Sequence, residues 1–205
     1  MLAPAPLARL LSTLLCSGIC GLAAAADRYQ IDAEHTYSTF SYQHWGLSTQ
    51  SGRFDKNSGS ITLDLAAQSG ALDIEIEAAS VNTGSEAFNK MLRSRSFFDS
   101  DSFPTIRFVS DQMVFEQGEL KKILGQLSIR DITRPVSIEV THFHCRYMLL
   151  YLKSACGANG NTTIRRSDYQ LGRYVPFVSD EVNLSFNVEA IKAAAPPTDK
   201  QGKTD

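Results

Sequence analysis

Beyond residue 26 most of the chain alternates apolar and polar residues with a period of two, the pattern of antiparallel strands with one dry and one wet face. In TYSTFSYQHW the residues Phe40, Tyr42 and His44 share a face. GSITLDL sets Ile61, Leu63 and Leu65 against Ser60, Thr62 and Asp64, and LDIEIEA sets Leu72, Ile74 and Ile76 against Asp73, Glu75 and Glu77. The same phase joins Ile106 with Phe108, Ile123 with Gly125, Leu127 and Ile129, and Val136 with Ile138, Val140 and His142. It also joins Ile164 with Arg166 and Asp168, and Val182 with Leu184, Phe186 and Val188. Turn signals at Lys56-Asn57-Ser58-Gly59, Gln68-Ser69-Gly70, Gln117-Gly118 and Ala158-Asn159-Gly160 separate about eight or nine strands. One segment breaks the rhythm. Thr83-Gly84-Ser85-Glu86 has the form of a capping box, Phe88, Met91 and Leu92 follow at helical spacing, and Arg93 and Arg95 stand where cations suit the helix dipole. The pattern predicts an all-β domain with one short helix over about 84–94. Alternation alone does not choose between a closed barrel and a two-sheet sandwich.

The N-terminus sets the compartment. Residues 1–26 carry a single charge, Arg9, then an apolar stretch over 10–22 and the run Ala23-Ala24-Ala25-Ala26. That is the order of a cleaved secretory signal, and the stretch is shorter than the ~20 residues of a membrane span. The expected domain is 27–191, followed by a polar, Pro-containing tail over 192–205 that reads as disordered. The 205-residue chain has a net charge of −2 and no Lys/Arg run, which speaks against a nucleic-acid partner. The expected location is the periplasm or the exterior, with no stable membrane insertion.

Signal removal takes Cys16 and Cys20 and leaves Cys145 and Cys156, an even number in an oxidising compartment, which favours a disulfide. A competing metal reading groups His142 and His144, which share a strand face, with Cys145. It needs a reduced thiol and a fourth ligand that the neighbourhood does not offer. A Cys-x-x-Cys redox pair, a Gly-x-Ser-x-Gly elbow, a phosphate loop and a His-Glu-x-x-His motif are all missing. Two polar residues sit in phase with inward faces. His44 reads as hydrogen-bonded to nearby backbone or as a ligand donor. Arg166 reads as paired with Asp168 at the barrel mouth or as the anchor for a ligand head group, because a buried charge is costly without a partner.

YQIDAEHTYSTFSYQHWGLSTQSGRFDKNSGSITLD, the segment SVNTG…FNKMLRSRSFFDSDSFPTIRFVS, GQLSIRDITRPVSIEV and IRRSDY together resemble the YceI-like family over 29–191. Asp32, His35, Phe40, His44, Gly46, Gly52 and Phe54 match its first strands, and Leu92-Arg93-Ser94, Phe97-Phe98 and Phe103-Pro104 match its helix and following loop. The family's Arg-x-Asp-Phe-Gly stands here as Arg166-Ser167-Asp168-Tyr169-Gln170, with Gly172 two residues on. The cysteine pair followed by Gly157-Ala158 is similar to a subgroup with a linked loop.

The resemblance implies a lipocalin-like antiparallel β-barrel of about eight strands that holds a long isoprenoid or quinone-type lipid, with no catalytic residues and no other cofactor. The expected cavity is lined by Phe40, Tyr42, Phe54, Ile74, Leu92, Phe98, Phe108, Leu127 and Phe186, with Arg166 or His44 as polar anchor. It is entered near the helix and the 97–104 loop. The protein is then a monomer or homodimer whose partner is its lipid. A rival class is an enzyme or metalloprotein using His35, His44, His142 or His144. A third is a solid barrel that serves as an interaction module.

Overall fold

A computed structural model gives the fold and describes residues 26–150 and 152–194. The signal reading of 1–26, Ala26 apart, and the tail reading beyond residue 194 lie outside the described residues. Within them the chain forms β1 (Asp27–Ile31), β2 (Tyr37–His44), β3 (Ser48–Phe54), β4 (Asn57–Asp64), β5 (Ser69–Glu77), β6 (Val81–Asn82), α1 (Glu86–Arg93), β7 (Thr105–Glu116), β8 (Glu119–Ile129), β9 (Ile132–Met148), β10 (Lys153–Arg165) and β11 (Glu181–Lys192). Lys192, assigned to the tail on sequence, ends β11 opposite Tyr29.

These strands make eight staves of one closed antiparallel barrel. β1 and β2 lie end to end along β11, with Ile31 opposite Ala190 and Tyr37 opposite Asn187. β4 and β3 continue one another beside them, and β5 and β6 do the same beside those. Each later stave follows its predecessor, and the pairing of β11 with β1 closes the ring. Closure leaves the two-residue β6 as the one strand with a single neighbour among the described residues, and it settles the choice between barrel and sandwich.

Buried polar side chains fix the breaks in the first staves. Between β1 and β2 the Thr36 hydroxyl donates to the Glu189 carbonyl (3.2 Å) and accepts from the Glu189 N–H (3.1 Å). Between β3 and β4 the Asn57 amide donates to the carbonyls of Thr36 (3.2 Å) and Phe54 (3.0 Å) and accepts from the Ser38 hydroxyl (2.6 Å). Leaving any of these groups unpaired would cost about 1–3 kcal/mol, which specifies the bends.

Several local expectations are corrected. The helix cap is Ser85, whose hydroxyl accepts from the Phe88 N–H; the Thr83 hydroxyl turns instead to Asn89 Oδ1 (2.8 Å). Gly84, with φ at 79°, redirects the chain between Thr83 and the helix. Ala158-Asn159-Gly160 is no turn: it lies inside β10, where a Cβ on Gly160 would stand 2.7 Å from Ile138 Cγ2. Glycine there permits close approach between staves, and the chain turns instead between the end of β9 at Met148 and the start of β10 at Lys153. Of Lys56-Asn57-Ser58-Gly59, Lys56 lies in the break between β3 and β4 and the other three open β4, so the segment is no hairpin turn.

A bulge also reverses the phase of β9. Val140 pairs with Gly160 while His142 pairs with Asn159, so Thr141 is an extra residue. Past it Phe143 and Cys145 pack inward, while His142 and His144 are exposed. Cys145 and Cys156 are register partners across β9 and β10 and form a disulfide.

The interior has two layers. One cluster, with Tyr29, Ile31, Leu63, Cys156 and Ala190, fills the end where β4 leads into β5, β7 into β8 and β9 into β10. The larger cluster, from Phe40 and Phe54 to Ile164 and Val182, reaches toward the other end, beneath α1.

Candidate functional site

The alternation that makes the strands also makes the site. At the α1 end the inward residues do not meet at the barrel axis, and they surround a cavity of about 440 Å³. Ile76, Ile106, Leu127, Ile129, Ile164, Val182 and Leu184 supply an aliphatic wall. Phe40, Phe54 and Phe98 form an aromatic one: the Phe40 and Phe54 ring centroids are 5.8 Å apart, and Phe54 meets Phe98 edge to face at 5.4 Å. Phe88, Met91, Leu92 and Phe97 cover one side. The 170–178 loop covers the other through Leu171, Arg173, Tyr174 and Val178.

Of the sequence-predicted residues, Phe40, Tyr42, His44, Phe54, Leu92, Phe98, Leu127, Arg166 and Phe186 line this cavity, and Ile74 and Phe108 do not. Ile74 and Phe108 are opposite one another in β5 and β7, one layer below the lining pair Ile76 and Ile106. They belong to the floor. The entrance differs in part from expectation. Phe97 and Phe98 line it, whereas Phe103 lies away from it beneath the Arg130 guanidinium, 5.2 Å from the ring centroid and within cation–π reach. The rest of the entrance is built from the β2–β3 turn and the 170–178 loop.

Those two segments were missed on sequence because they do not alternate. Trp45 occupies a tight turn with φ at 55°, next to Gly46 at 66°, and the Leu47 N–H donates to the His44 carbonyl (3.0 Å). Two consecutive positive φ values mark the turn type that suits a hairpin's twist. A lone tryptophan beside a glycine between two alternating runs was the available signal.

One buried charged group reaches the cavity. Arg166 opens a short 3₁₀ turn (Arg166–Tyr169) after β10 and is only 8% exposed. Its guanidinium bonds to four carbonyls: Nε to Ser179 (2.8 Å), Nη2 to Val178 (2.8 Å), and Nη1 to Arg173 (2.8 Å) and Leu171. The expected pair with Asp168 does not form. The 3₁₀ turn ends the alternation after Arg166, so Asp168 points to solvent. Asp180 is the acid that acts on Arg166, and its own oxygens are engaged by the Ser167 N–H (2.8 Å), the Ser167 hydroxyl (2.7 Å) and Arg165 (3.2 Å). Burial works to raise Asp180, but these bonds outweigh it and hold the carboxyl below its usual range. Burial lowers the Arg166 pKa, with Asp180 and Tyr42 opposing, and raises that of Tyr42, with Arg166 opposing. The site therefore offers a phenol and a guanidinium. A guanidinium has five N–H donors, so four carbonyls leave one Nη2 N–H without a protein acceptor among the described residues.

The histidines do not converge. His44 is at the mouth and His142 and His144 are on the β9 exterior. His35 pairs with Asp32 (3.0 Å), a bond that raises its pKa. Cys145 is committed to the disulfide, and no three His, Cys, Asp or Glu side chains gather as a metal site among the described residues. No described helix is long and apolar enough to cross a membrane.

The pattern that defines the YceI-like domain matches residues 29–190. A UPF0312 protein of Pseudomonas paraeruginosa is 32% identical over 181 residues, covering 84% of this chain and 90% of that one. A solved Campylobacter jejuni YceI protein is 26% identical with a TM-score of 0.65, over 74% of this chain and 90% of its own. The structure of a polyisoprenoid binding domain from Saccharophagus degradans shares the fold at 16% identity, with a TM-score of 0.61 over 80% of this chain and 98% of its own.

Proposed function

The chain belongs to the YceI-like family, and from that premise we propose that it is an exported binding protein that carries or sequesters a long-chain isoprenoid or similar amphiphilic lipid in the barrel. The observation that carries this reading is a cavity of about 440 Å³ walled by aliphatic and aromatic side chains, with the partly free guanidinium of Arg166 in its lining. Its size is within the ~300–1,000 Å³ of small-molecule sites, and a few placed polar groups suffice to orient a ligand there. Each methylene buried contributes ~0.8 kcal/mol, so a branched hydrocarbon chain matches this wall. Arg166 and the Tyr42 phenol suit a head group that accepts hydrogen bonds, such as a quinone carbonyl or a phosphate. The polyisoprenoid binding attributed to the Saccharophagus degradans domain supports the ligand class. The reading is of a carrier and not an enzyme. The disulfide suits an oxidising compartment, the periplasm or exterior, as does the signal-like N-terminus.

Solvent extraction of the natively purified protein followed by mass spectrometry tests this. The expected result is a stoichiometric isoprenoid lipid. Protein that carries none, and takes up none when titrated with a polyprenyl phosphate or a prenylated quinone, would overturn the proposal.

A further inference from the structure

We infer that the rim of the cavity docks on the surface of an anionic lipid bilayer, so that ligand passes between bilayer and barrel without crossing water. The inference rests on the lipid-carrier reading. Isolated exposed apolar residues are ordinary on a protein surface, whereas a contiguous set around a cavity is not. Trp45 (55% exposed) and Leu47 (84%) project from the β2–β3 turn, and Tyr174 and Phe177 (56%) project from the 170–178 loop. The Trp45 and Phe177 rings stack with centroids 4.7 Å apart, which joins the two loops into one apolar edge. That edge is continuous with the cavity, since Trp45 and Tyr174 also line it.

The backbone holds these rings outward at some conformational cost. Trp45 and Tyr174 have φ of 55° and 68°, a region that bulky side chains rarely occupy. Tryptophan and tyrosine are also the residues that settle at the membrane–water boundary, with an apolar body and a polar tip.

Charge selects the surface. The segments that build the mouth, 40–52, 86–99 and 168–180, contain Lys90, Arg93, Arg95 and Arg173 beside Glu86, Asp99, Asp168 and Asp180. Asp99 is buried and Asp180 is engaged by Arg165 and Ser167, which leaves Glu86 and Asp168 as the exposed acids. Arg93 pairs with Glu86, and Arg173 donates to the Ser96 hydroxyl (2.7 Å) and lies over the Tyr174 ring. Lys90 and Arg95 have no ion-pair partner among the described residues. An apolar edge at a mouth whose covering helix carries the unpaired Lys90, with the unpaired Arg95 just past its end, matches a bilayer with anionic head groups. A second exposed apolar group, Leu149 and Leu150 on the β9–β10 turn, lies at the opposite end of the barrel and has no connection to the cavity.

Trp45 is the one tryptophan in the sequence, so intrinsic fluorescence reports on the rim alone. The purified protein is mixed with vesicles of phosphatidylglycerol and phosphatidylcholine, or of phosphatidylcholine alone, both free of isoprenoid. The expected result is a blue shift of Trp45 emission and flotation with the anionic vesicles, both weakened by salt. Flotation affinity should fall about tenfold or more in a Leu47→Ser/Phe177→Ser variant and in Lys90→Gln/Arg95→Gln, while Leu150→Ser floats as the parent does. Thermal unfolding of each variant confirms the fold. No shift and no flotation would overturn the inference, as would flotation lost in Leu150→Ser but kept in Leu47→Ser/Phe177→Ser. Lipid content measured in parallel separates the two proposals. Bound isoprenoid without docking rejects the rim and leaves the carrier, and docking without bound or titratable isoprenoid supports the rim and rejects the carrier.

Discussion

The ring of Phe108 lies across Gly125: a Cβ on that glycine would stand 2.5 Å from Phe108 Cζ and 2.5 Å from the Val109 carbonyl oxygen. Glycine at an inward position of β8 thus makes room for the ring of a phenylalanine from β7, the register partner of Leu127, at the floor of the cavity. The floor is the product of a small residue and a large one on adjacent staves.

Two substitutions test that floor. Gly125→Ala meets a backbone carbonyl as well as the ring, so the clash is not relieved by a rotamer change, and it should destabilise the protein by about 1–3 kcal/mol. Phe108→Ala should cost about 3–5 kcal/mol and extend the cavity toward Ile74. Urea unfolding of both variants is the measurement. A Gly125→Ala protein as stable as the parent would show that Phe108 does not seal the cavity.

Arg166 is predicted to be a structural hub for the mouth. Four carbonyls from Leu171, Arg173, Val178 and Ser179 converge on it, and an unsatisfied buried acceptor costs about 1–3 kcal/mol. Arg166→Met should therefore lower stability by at least about 3 kcal/mol. Lys cannot reproduce a planar fork of donors, so Arg166→Lys should recover little of the loss. Asp168→Asn should change stability by less than about 0.5 kcal/mol, since Asp168 is a solvent-facing side chain. Chemical unfolding of the three variants decides it: a large effect at Asp168 would restore the ion pair expected from the sequence.

The disulfide joins strands that are already in register, and it closes a short loop with a sequence separation of 11. Replacing both cysteines by serine should cost about 2–4 kcal/mol and leave the mouth unaltered, because Cys145 and Cys156 pack into the cluster at the far end. Unfolding midpoints and lipid content, compared between parent and variant, give the two readouts. Lost lipid at preserved stability would contradict the separation of the two layers.

Period two was legible wherever a stave is unbroken. Leu72 to Ile76, Ile106 with Phe108, and Leu127 with Ile129 all have the inward phase read from the chain. It was lost wherever the backbone inserts or removes a residue. The bulge at Thr141 turns His142 from an inward position to solvent, and nothing in VTHFH announces it. The 3₁₀ turn after Arg165 parts Arg166 from Asp168 in the same way. Trp45, Tyr174 and Phe177 were illegible for a different reason. Their association depends on two loops more than a hundred residues apart in sequence being brought together by barrel closure, and local periodicity carries no such information.

The last prediction separates the cavity from its floor. Leu184 lines the cavity and is only partly buried, so a tryptophan there grows into open space. Ile74, opposite Phe108 one layer below, does not line the cavity. Each methylene of ligand displaced by the indole forfeits ~0.8 kcal/mol, about fourfold in affinity. Leu184→Trp should therefore weaken lipid retention by about tenfold or more while costing less than about 1.5 kcal/mol of stability. Ile74→Trp adds bulk against Phe108 outside the cavity and should lose about 1–3 kcal/mol, with any lipid loss following from unfolding rather than from blockage. Lipid content per folded chain, with urea unfolding on the same preparations, distinguishes the two. Full lipid retention in a folded Leu184→Trp protein would place the ligand somewhere other than this cavity.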